Sequence, residues 1–296
     1  MFHSTDTIVE PRNYNFMRHP GSDIEIYDSN SKKIGVISED GRVISPTFGQ
    51  NVNIEIISDF EKFKFSDPEY LVYAPNALSE QFDDAQRRMS RDDIRDIYIR
   101  VMQGCLMIRA KSAMKDVFNP SVANQQIDNI INWLISTDFF VAPASTKYHD
   151  SYSGGLVDHS LRVAVEAIRL LDLPKFSNID IASAVLCALV HDWCKINKYE
   201  EYQRNVKNDA TGCWERVASY RYKDDIMIPL GHGEASMYMA MKMIKLSIDE
   251  ACAIRHHMGA WAEQGSYNVN DLQYANEHFP LVLLLQFADQ LSLVNY

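Results

Sequence analysis

The chain has 296 residues, 46% of them hydrophobic, which is typical of a globular protein. Its 29 Lys and Arg against 40 Asp and Glu give a net charge of -11, which argues against broad electrostatic attraction to a nucleic-acid backbone. Residues 1–20 lack the pattern of a signal peptide, and no apolar run reaches the length of a membrane span. We therefore expect a cytoplasmic protein without a membrane partner.

Residues 1–78 predict a polar tail followed by a small β module. Short alternating segments at residues 24–27, 33–37, 42–44 and 53–56, with a tight-turn signal at Asp40-Gly41, are typical of paired strands. The segment lacks the aromatics interleaved with Lys or Arg that single-strand binding surfaces use. Homo-oligomerisation through this module and a lid over a following domain both remain hypotheses.

Residues 79–134 predict a helical region that links or packs against the rest. Ser90 and Asp93 resemble a helix cap, and the helical pattern continues to about residue 117. Asn119-Pro120 breaks it, and residues 121–134 form a second helix. Beyond residue 134 the pattern indicates only helices and loops, so the predicted fold class is mainly α.

The pair His191-Asp192 closes an apolar run over residues 179–190, which is typical of a buried helix. Polar groups at such a position need partners. Taken alone, a His-Asp pair at a helix end is more often a cap or an ion pair than a pair of metal ligands. Lys195, one turn further, either binds a carboxylate or phosphate oxygen or faces solvent.

Four further segments place His or Asp at the end or in the interior of an apolar helix. A Gly154-Gly155 turn opens a helix with His159 in its first turn, and His232 opens a methionine-rich helix. A helix that a Ser247 capping box begins ends at His256-His257, and the last apolar helix contains Asp289. No comparable set of basic side chains exists to pair with these groups, so together they indicate a metal site suited to Mn, Fe, Mg or Zn.

The cysteines do not predict a disulfide or zinc-binding framework. The five cysteines are odd in number and show no CxxC spacing, which excludes a disulfide framework or a zinc knuckle. We interpret most of them as small core residues. Cys194, beside the His-Asp pair, is the one thiol next to the predicted site, and a packed core thiol is the favoured interpretation for it too.

The order His159, His191-Asp192, His232, His257, Asp289 resembles the HD superfamily of metal-dependent phosphohydrolases over residues 135–296. The Gly-Gly-Leu turn before the first histidine is similar to the branch that contains bacterial 3′-to-5′ exoribonucleases with an HD domain. Similar proteins occur in phages, in which case the host cytoplasm is the expected location. The resemblance implies an HD-domain helical bundle preceded by a small β module.

The same resemblance implies a centre with two divalent metal ions, with manganese favoured. One ion would be held by His159, His191, Asp192 and Asp289, and Asp192 would bridge to a second ion held by His232 and His257. The neighbouring His256 is an additional candidate ligand, with His257 favoured of the two. Lys195 would stabilise charge on a phosphoryl group, and His149 would donate a proton to the leaving group or orient the substrate.

An aromatic and basic segment lies between Lys195 and His232. We expect Arg221 and Lys223 within it, together with Tyr148 near the first histidine, to contact a nucleotide substrate by stacking and phosphate binding. A surface hairpin whose aromatic rings pack on the helices is an equally open interpretation of this segment.

The predicted function is hydrolysis of a phosphomonoester or phosphodiester bond of a nucleotide or short oligonucleotide by a metal-activated hydroxide. The net charge of -11 favours small substrates over long polymers. Alternatives are a 3′-to-5′ exoribonuclease on longer strands, a di-iron oxygenase of the same superfamily, and a noncatalytic sensor with a degenerate site.

Overall fold

The computed structural model describes residues 15–17, 24–27, 33–37, 43–44, 90–114, 118–208, 211–224, 228–261 and 269–294. Over these residues the protein is mostly helical, which confirms the mainly α class. The helices are α1 (Arg91–Met114), α2 (Pro120–Ile135), α3 (Gly155–Leu170), α4 (Ile181–Val190), α5 (His232–Met243), α6 (Ile248–His256), α7 (Val269–His278) and α8 (Pro280–Leu291), with short 3-10 turns at Trp193–Lys195 and Gly259–Trp261.

Four short strands near the N-terminus pair in sequence order. They are β1 (Asn15–Met17), β2 (Ile24–Tyr27), β3 (Lys33–Ile37) and β4 (Val43–Ile44), all antiparallel. The last three coincide with predicted segments. The fourth predicted segment, at residues 53–56, and the Asp40-Gly41 turn lie outside the described residues.

Local signals at the helix starts act as the sequence predicts. Ser90 and Asp93 exchange side-chain and backbone hydrogen bonds before α1. Ser247 and Glu250 form the complete capping box of α6, which satisfies backbone N–H groups that the helix itself leaves without a partner. Asn119 caps α2, whose first residue is Pro120.

A second antiparallel pair contradicts the prediction of helices and loops alone after residue 134, and it agrees with the surface hairpin that is one interpretation of the segment between Lys195 and His232. Strands β5 (Tyr199–Lys207) and β6 (Trp214–Tyr222) form a hairpin in continuous register from Tyr199 opposite Tyr222 to Lys207 opposite Trp214. Its side chains are mostly exposed on both faces, so neither strand shows the apolar alternation that marks a half-buried strand. Helix α7 also escaped prediction, because only Leu272 and Ala275 are buried along it.

Helix α4 lies at the centre of the core. Nearly all of its side chains are buried, and it packs against α1, α3, α6 and α8. Residues of α1 and α2 belong to the same continuous hydrophobic cluster as the later helices. Tyr98 of α1 donates its hydroxyl to the carbonyl of Leu189, near the end of α4. The position of that end is therefore fixed from several sides.

Within the described residues, no helix has both the length and the apolar character needed to cross a bilayer.

Helices α5 and α6 approach each other closely at Gly233, at the start of α5. A Cβ added there would lie 1.9 Å from the carbonyl oxygen of Arg255 on α6. We expect Gly233→Ala to lower the free energy of unfolding by about 1–3 kcal/mol, the usual cost of overpacking, as measured by urea titration. Met241→Ala, on an exposed position of α5, is the control. Equal unfolding midpoints for Gly233→Ala and wild type would contradict the close approach.

Candidate metal centre

The chain turns sharply where α4 ends, and this turn brings two neighbouring side chains to one place. His191 keeps helical backbone angles, whereas Asp192 has φ -108° and ψ 17° and starts the 3-10 turn Trp193–Lys195. The helix therefore does not continue through Lys195. The 3-10 turn still places the Nζ of Lys195 2.6 Å from the Oδ2 of Asp192, so Lys195 is a buried partner of that carboxylate and does not face solvent.

Two histidines are held with one ring nitrogen donating to the backbone. The Nδ1 of His191 lies 2.7 Å from the carbonyl of Ala188, and the Nδ1 of His257 lies 2.7 Å from the carbonyl of Ile254. A carbonyl oxygen only accepts, so Nδ1 carries the hydrogen in both rings. In the neutral form the Nε2 of each ring then has a free lone pair, which is the arrangement that metal-binding histidines show.

A first group of ligand atoms surrounds the Oδ2 of Asp192. The Nε2 atoms of His159 and His191 each lie 3.4 Å from this oxygen and 3.2 Å from each other. The Oδ1 of Asp289 lies 3.2 Å from the Nε2 of His159 and 3.9 Å from that of His191. Two nitrogens and two carboxylate oxygens, from α3, α8 and the turn after α4, therefore meet at one point.

The Nε2 of His159 has two polar neighbours. It lies within hydrogen-bond distance of the Nε2 of His191 and of the Oδ1 of Asp289. The Nδ1 of the same ring lies 3.5 Å from the hydroxyl oxygen of Ser292, which donates to the carbonyl of Asp289. Although burial lowers it, the neighbouring Asp192 carboxylate raises the pKa of His191 above its ordinary value. The two carboxylates therefore favour positive charge at this point, which a proton or a metal ion can supply.

A second group faces the other oxygen of the same carboxylate. The Oδ1 of Asp192 lies 2.7 Å from the Nε2 of His232 and 3.9 Å from the Nε2 of His257. The Nε2 of His257 is buried and makes no hydrogen bond. Burial, together with the neighbouring His191 and His232, lowers the pKa of His257 to about 3, so the ring is neutral near pH 7. A neutral imidazole nitrogen that meets no donor is suited to a metal ion.

The cluster is deep in the protein but not closed. The side chains of His159, His191, Asp192 and His257 are almost completely buried. Those of His232 and Asp289 each keep 16% of their surface exposed, on α5 and α8. Solvent therefore reaches the cluster past these two residues, and a small ion has a way in.

An ionic lock holds the turn before the first histidine. Arg91 of α1 binds both carboxylate oxygens of Asp158, at 3.0 and 2.9 Å, and donates to the carbonyl of Gly154 at 2.7 Å. Gly154 has φ 85°, a left-handed conformation that suits glycine. Because Asp158 precedes His159 directly, this lock fixes the first turn of α3 and with it the histidine ring.

His149 lies beside the first group. Its ring centroid is 4.9 Å from that of His159, and its buried Nε2 has no hydrogen-bond partner. Burial, together with His159 and Lys195, lowers the pKa of His149 to about 4. This favours the neutral ring over the protonated form that a proton donor needs. The adjacent Asp150 forms an ion pair with Arg162.

Several predicted site residues do not join the cluster. His256 belongs to none of the groups of ligand atoms among the described residues, and the Nη1 of Arg255 lies 2.9 Å from its Nε2, so the structure gives no support to His256 as a metal ligand. Arg221 forms an ion pair with Glu200 and lies over the ring of Tyr202, all on the hairpin. Burial raises the pKa of Asp138, and the nearby charge of Lys223 opposes this rise. The side chain of Tyr148 is 85% exposed.

Cys194 belongs to one of the groups of ligand atoms, although its position in the sequence favours a packed core thiol. Its Sγ lies 3.3 Å from the Nδ1 and 3.7 Å from the Nε2 of His232. Its position beside the His-Asp pair was the only signal in the sequence. Ser292, which contacts His159, gave no signal.

The donor set fits a divalent ion. Ligand atoms of His159, His191 and Asp289, of His191, Asp192 and His257, and of Asp192, Cys194 and His232 lie within 4.8 Å of one another in each group. Imidazole nitrogens and carboxylate oxygens bind Mn, Fe and Zn. Buried carboxylates and opposed imidazole nitrogens gain a partner when such an ion binds, so the residues present can hold a metal ion.

Comparisons with protein-family models, with curated proteins and with solved structures find no match to this chain. Any function assigned to the centre depends on its geometry and on the order of its ligands along the chain.

Metal binding should stabilise the fold, because the ion binds only where these elements meet. An ion at 100 times its Kd adds about 2.7 kcal/mol to the free energy of unfolding. We expect Asp192→Asn to weaken binding on the order of a hundredfold at both groups, and Asp289→Asn to weaken it at the first group only. Calorimetric titration with Mn²⁺ and Zn²⁺ measures both.

His278→Ala is the matched control for these titrations, since His278 is exposed and stacks on Tyr274 away from the cluster. An Asp192→Asn protein that binds as many ions as wild type, with the same affinity, contradicts the shared carboxylate.

Proposed function

We propose that the protein is an HD-type metal-dependent phosphohydrolase that cleaves a phosphoester bond of a nucleotide or short oligonucleotide. The observation that carries the proposal is the position of Asp192. Its Oδ2 lies closest to the Nε2 atoms of His159 and His191, and its Oδ1 lies closest to those of His232 and His257. A carboxylate placed between two pairs of histidines is suited to a two-metal hydrolytic site.

The order and helix context of the ligands support the HD assignment. His159 lies in the first turns of α3, His191 and Asp192 follow the buried helix α4, and Asp289 lies in α8. We propose that residues 135–296 form the HD domain, with α1 and α2 completing its core, and that the N-terminal strands form a separate β module. Nothing in the set of ligands is missing, which favours an active centre over a degenerate one.

Divalent ions supply Lewis acidity, which lowers the pKa of water toward neutrality and neutralises phosphoryl oxygens. The residues of the chain perform the remaining tasks. Asp192 and Asp289 bring two negative charges into a buried site, where they favour cations over neutral ligands. The four histidines, neutral when they bind the ions, fix the ion positions without adding charge.

Lys195 and His149 are placed to act on the substrate. The ammonium of Lys195 contacts the carboxylate of Asp192, so it lies beside the first group and is available to a phosphoryl oxygen. His149 lies on the same side, with a buried Nε2 that lacks a partner. We assign Lys195 to charge stabilisation on the phosphoryl group, and His149 to orienting the substrate by a hydrogen bond.

The position of Lys195 weighs mildly in favour of a hydrolase over an oxygenase of the same superfamily. A buried ammonium at the centre suits an anionic phosphoryl group. The hairpin β5–β6 beside the centre is the candidate surface for a longer substrate, with Trp214 and Tyr222 exposed on it. We propose a nucleotide or short oligomer as the substrate, since the chain carries a net charge of -11.

The direct assay measures release of phosphate or mononucleotide with Mn²⁺ from mono-, di- and triphosphates, cyclic nucleotides, and short RNA and DNA. We expect turnover on at least one class, with a loss on the order of a hundredfold in His191→Ala and wild-type rates in the His278→Ala control. If metal-loaded protein turned over none of these nucleotides and oligonucleotides, the proposal would be wrong.

Lys195→Met tests the role of the ammonium apart from metal binding. We expect this variant to keep its metal content, because the ligands are intact. Its kcat should fall by about 10²–10³, the usual cost of removing one group that stabilises transition-state charge. Metal analysis and steady-state kinetics on the same sample separate the two effects. Unchanged kcat in a metal-replete Lys195→Met protein contradicts the assigned role.

A further inference from the structure

The second group of ligand atoms has a neighbour that the HD pattern does not supply. Cys194 follows Asp192 by two residues, and its side chain is buried against His232. Its Sγ, the Nε2 of His232 and a carboxylate oxygen of Asp192 lie within 4.8 Å of one another. The other free thiols among the described residues are outside such a group.

The thiol lies beside the imidazole ring of His232. The two nitrogens lie on different sides of an imidazole ring, and each N–H bond points away from the other nitrogen. A sulfur in line with Nδ1–H would therefore be much farther from Nε2 than from Nδ1. The observed distances, 3.3 and 3.7 Å, are nearly equal, so the sulfur lies against the ring and off both N–H axes.

An independent observation on the same side of Asp192 points to a ligand. The Nε2 of His257 is buried without a hydrogen-bond partner, 3.9 Å from the Oδ1 of Asp192 that His232 also contacts. A buried, unpartnered nitrogen indicates that something absent from the chain itself fills this space. The group that Cys194 forms with Asp192 and His232 shares the Asp192 carboxylate with the group that contains His257.

We propose that Cys194 is a thiolate ligand of the ion held by Asp192, His232 and His257. This inference rests on the proposed metal centre and adds a chemical distinction within it. The thiol proton leaves for solvent when the sulfur binds the ion. A thiolate prefers Zn²⁺, Fe²⁺ or Co²⁺ over Mg²⁺ or Mn²⁺, whereas the first group offers only nitrogen and oxygen. The two subsites therefore differ in metal preference.

Cobalt reports on this proposal without any activity measurement. Titration of metal-free, reduced protein with Co²⁺ should give ligand-field bands in the visible and, in addition, a thiolate-to-cobalt charge-transfer band in the near ultraviolet. Cys194→Ser should lose the charge-transfer band and keep the ligand-field bands of the first subsite. Its Zn²⁺ affinity at the second subsite should fall on the order of tenfold to a hundredfold. Cys252→Ser, which changes a half-buried thiol outside the cluster, should behave as wild type.

The outcomes distinguish the assignment of Cys194 as a ligand from the existence of the metal centre. Ligand-field bands without a charge-transfer band in the wild-type protein overturn the assignment of Cys194 and leave the metal centre standing. No cobalt bands of either kind overturn both. Because the decisive spectrum is that of the wild-type protein, the result does not depend on whether Cys194→Ser folds, and ¹¹³Cd NMR of the wild-type protein gives a second reading of sulfur ligation.

Discussion

The structure depends on one electrostatic constraint: electron-rich atoms converge in a place that water hardly reaches. The Nε2 atoms of His159 and His191 lie 3.2 Å apart, with carboxylate oxygens of Asp192 and Asp289 beside them. Buried carboxylates are costly unless positive charge lies beside them. Lys195 supplies one such charge to Asp192. A divalent ion satisfies every member of the group at once.

The fold is arranged to hold these groups in place. Helix α4 is buried, so its C-terminal turn cannot shift without disturbing the core. Backbone carbonyls of Ala188 and Ile254 hold the rings of His191 and His257, and Arg91 locks the turn before α3 from outside. Preorganisation of this kind means that an ion would find its ligands already oriented, which favours tight binding.

Much of the site could be predicted because its signals are local. The caps at Ser90 and Ser247, the helix α8 and the order of the ligands follow from short patterns. The preference for His257 over His256 comes from the resemblance to the HD superfamily, because both histidines are three residues after a buried side chain of α6 and helix periodicity does not separate them. The burial of Lys195 could not be predicted, because it depends on the change from an α-helix to a 3-10 turn after Asp192. The sequence leaves the hairpin as one of two open interpretations of its segment, because both faces are exposed and the apolar alternation of a half-buried strand is absent.

The most direct test is anomalous X-ray scattering from crystals loaded with Mn²⁺ or Zn²⁺, measured at the absorption edge of the metal. The account predicts two peaks, one on each side of the Asp192 carboxylate, the first within bonding distance of His159 and His191 and the second within bonding distance of His232 and His257. A map with no peak at Asp192, or with peaks that only surface carboxylates contact, would contradict it.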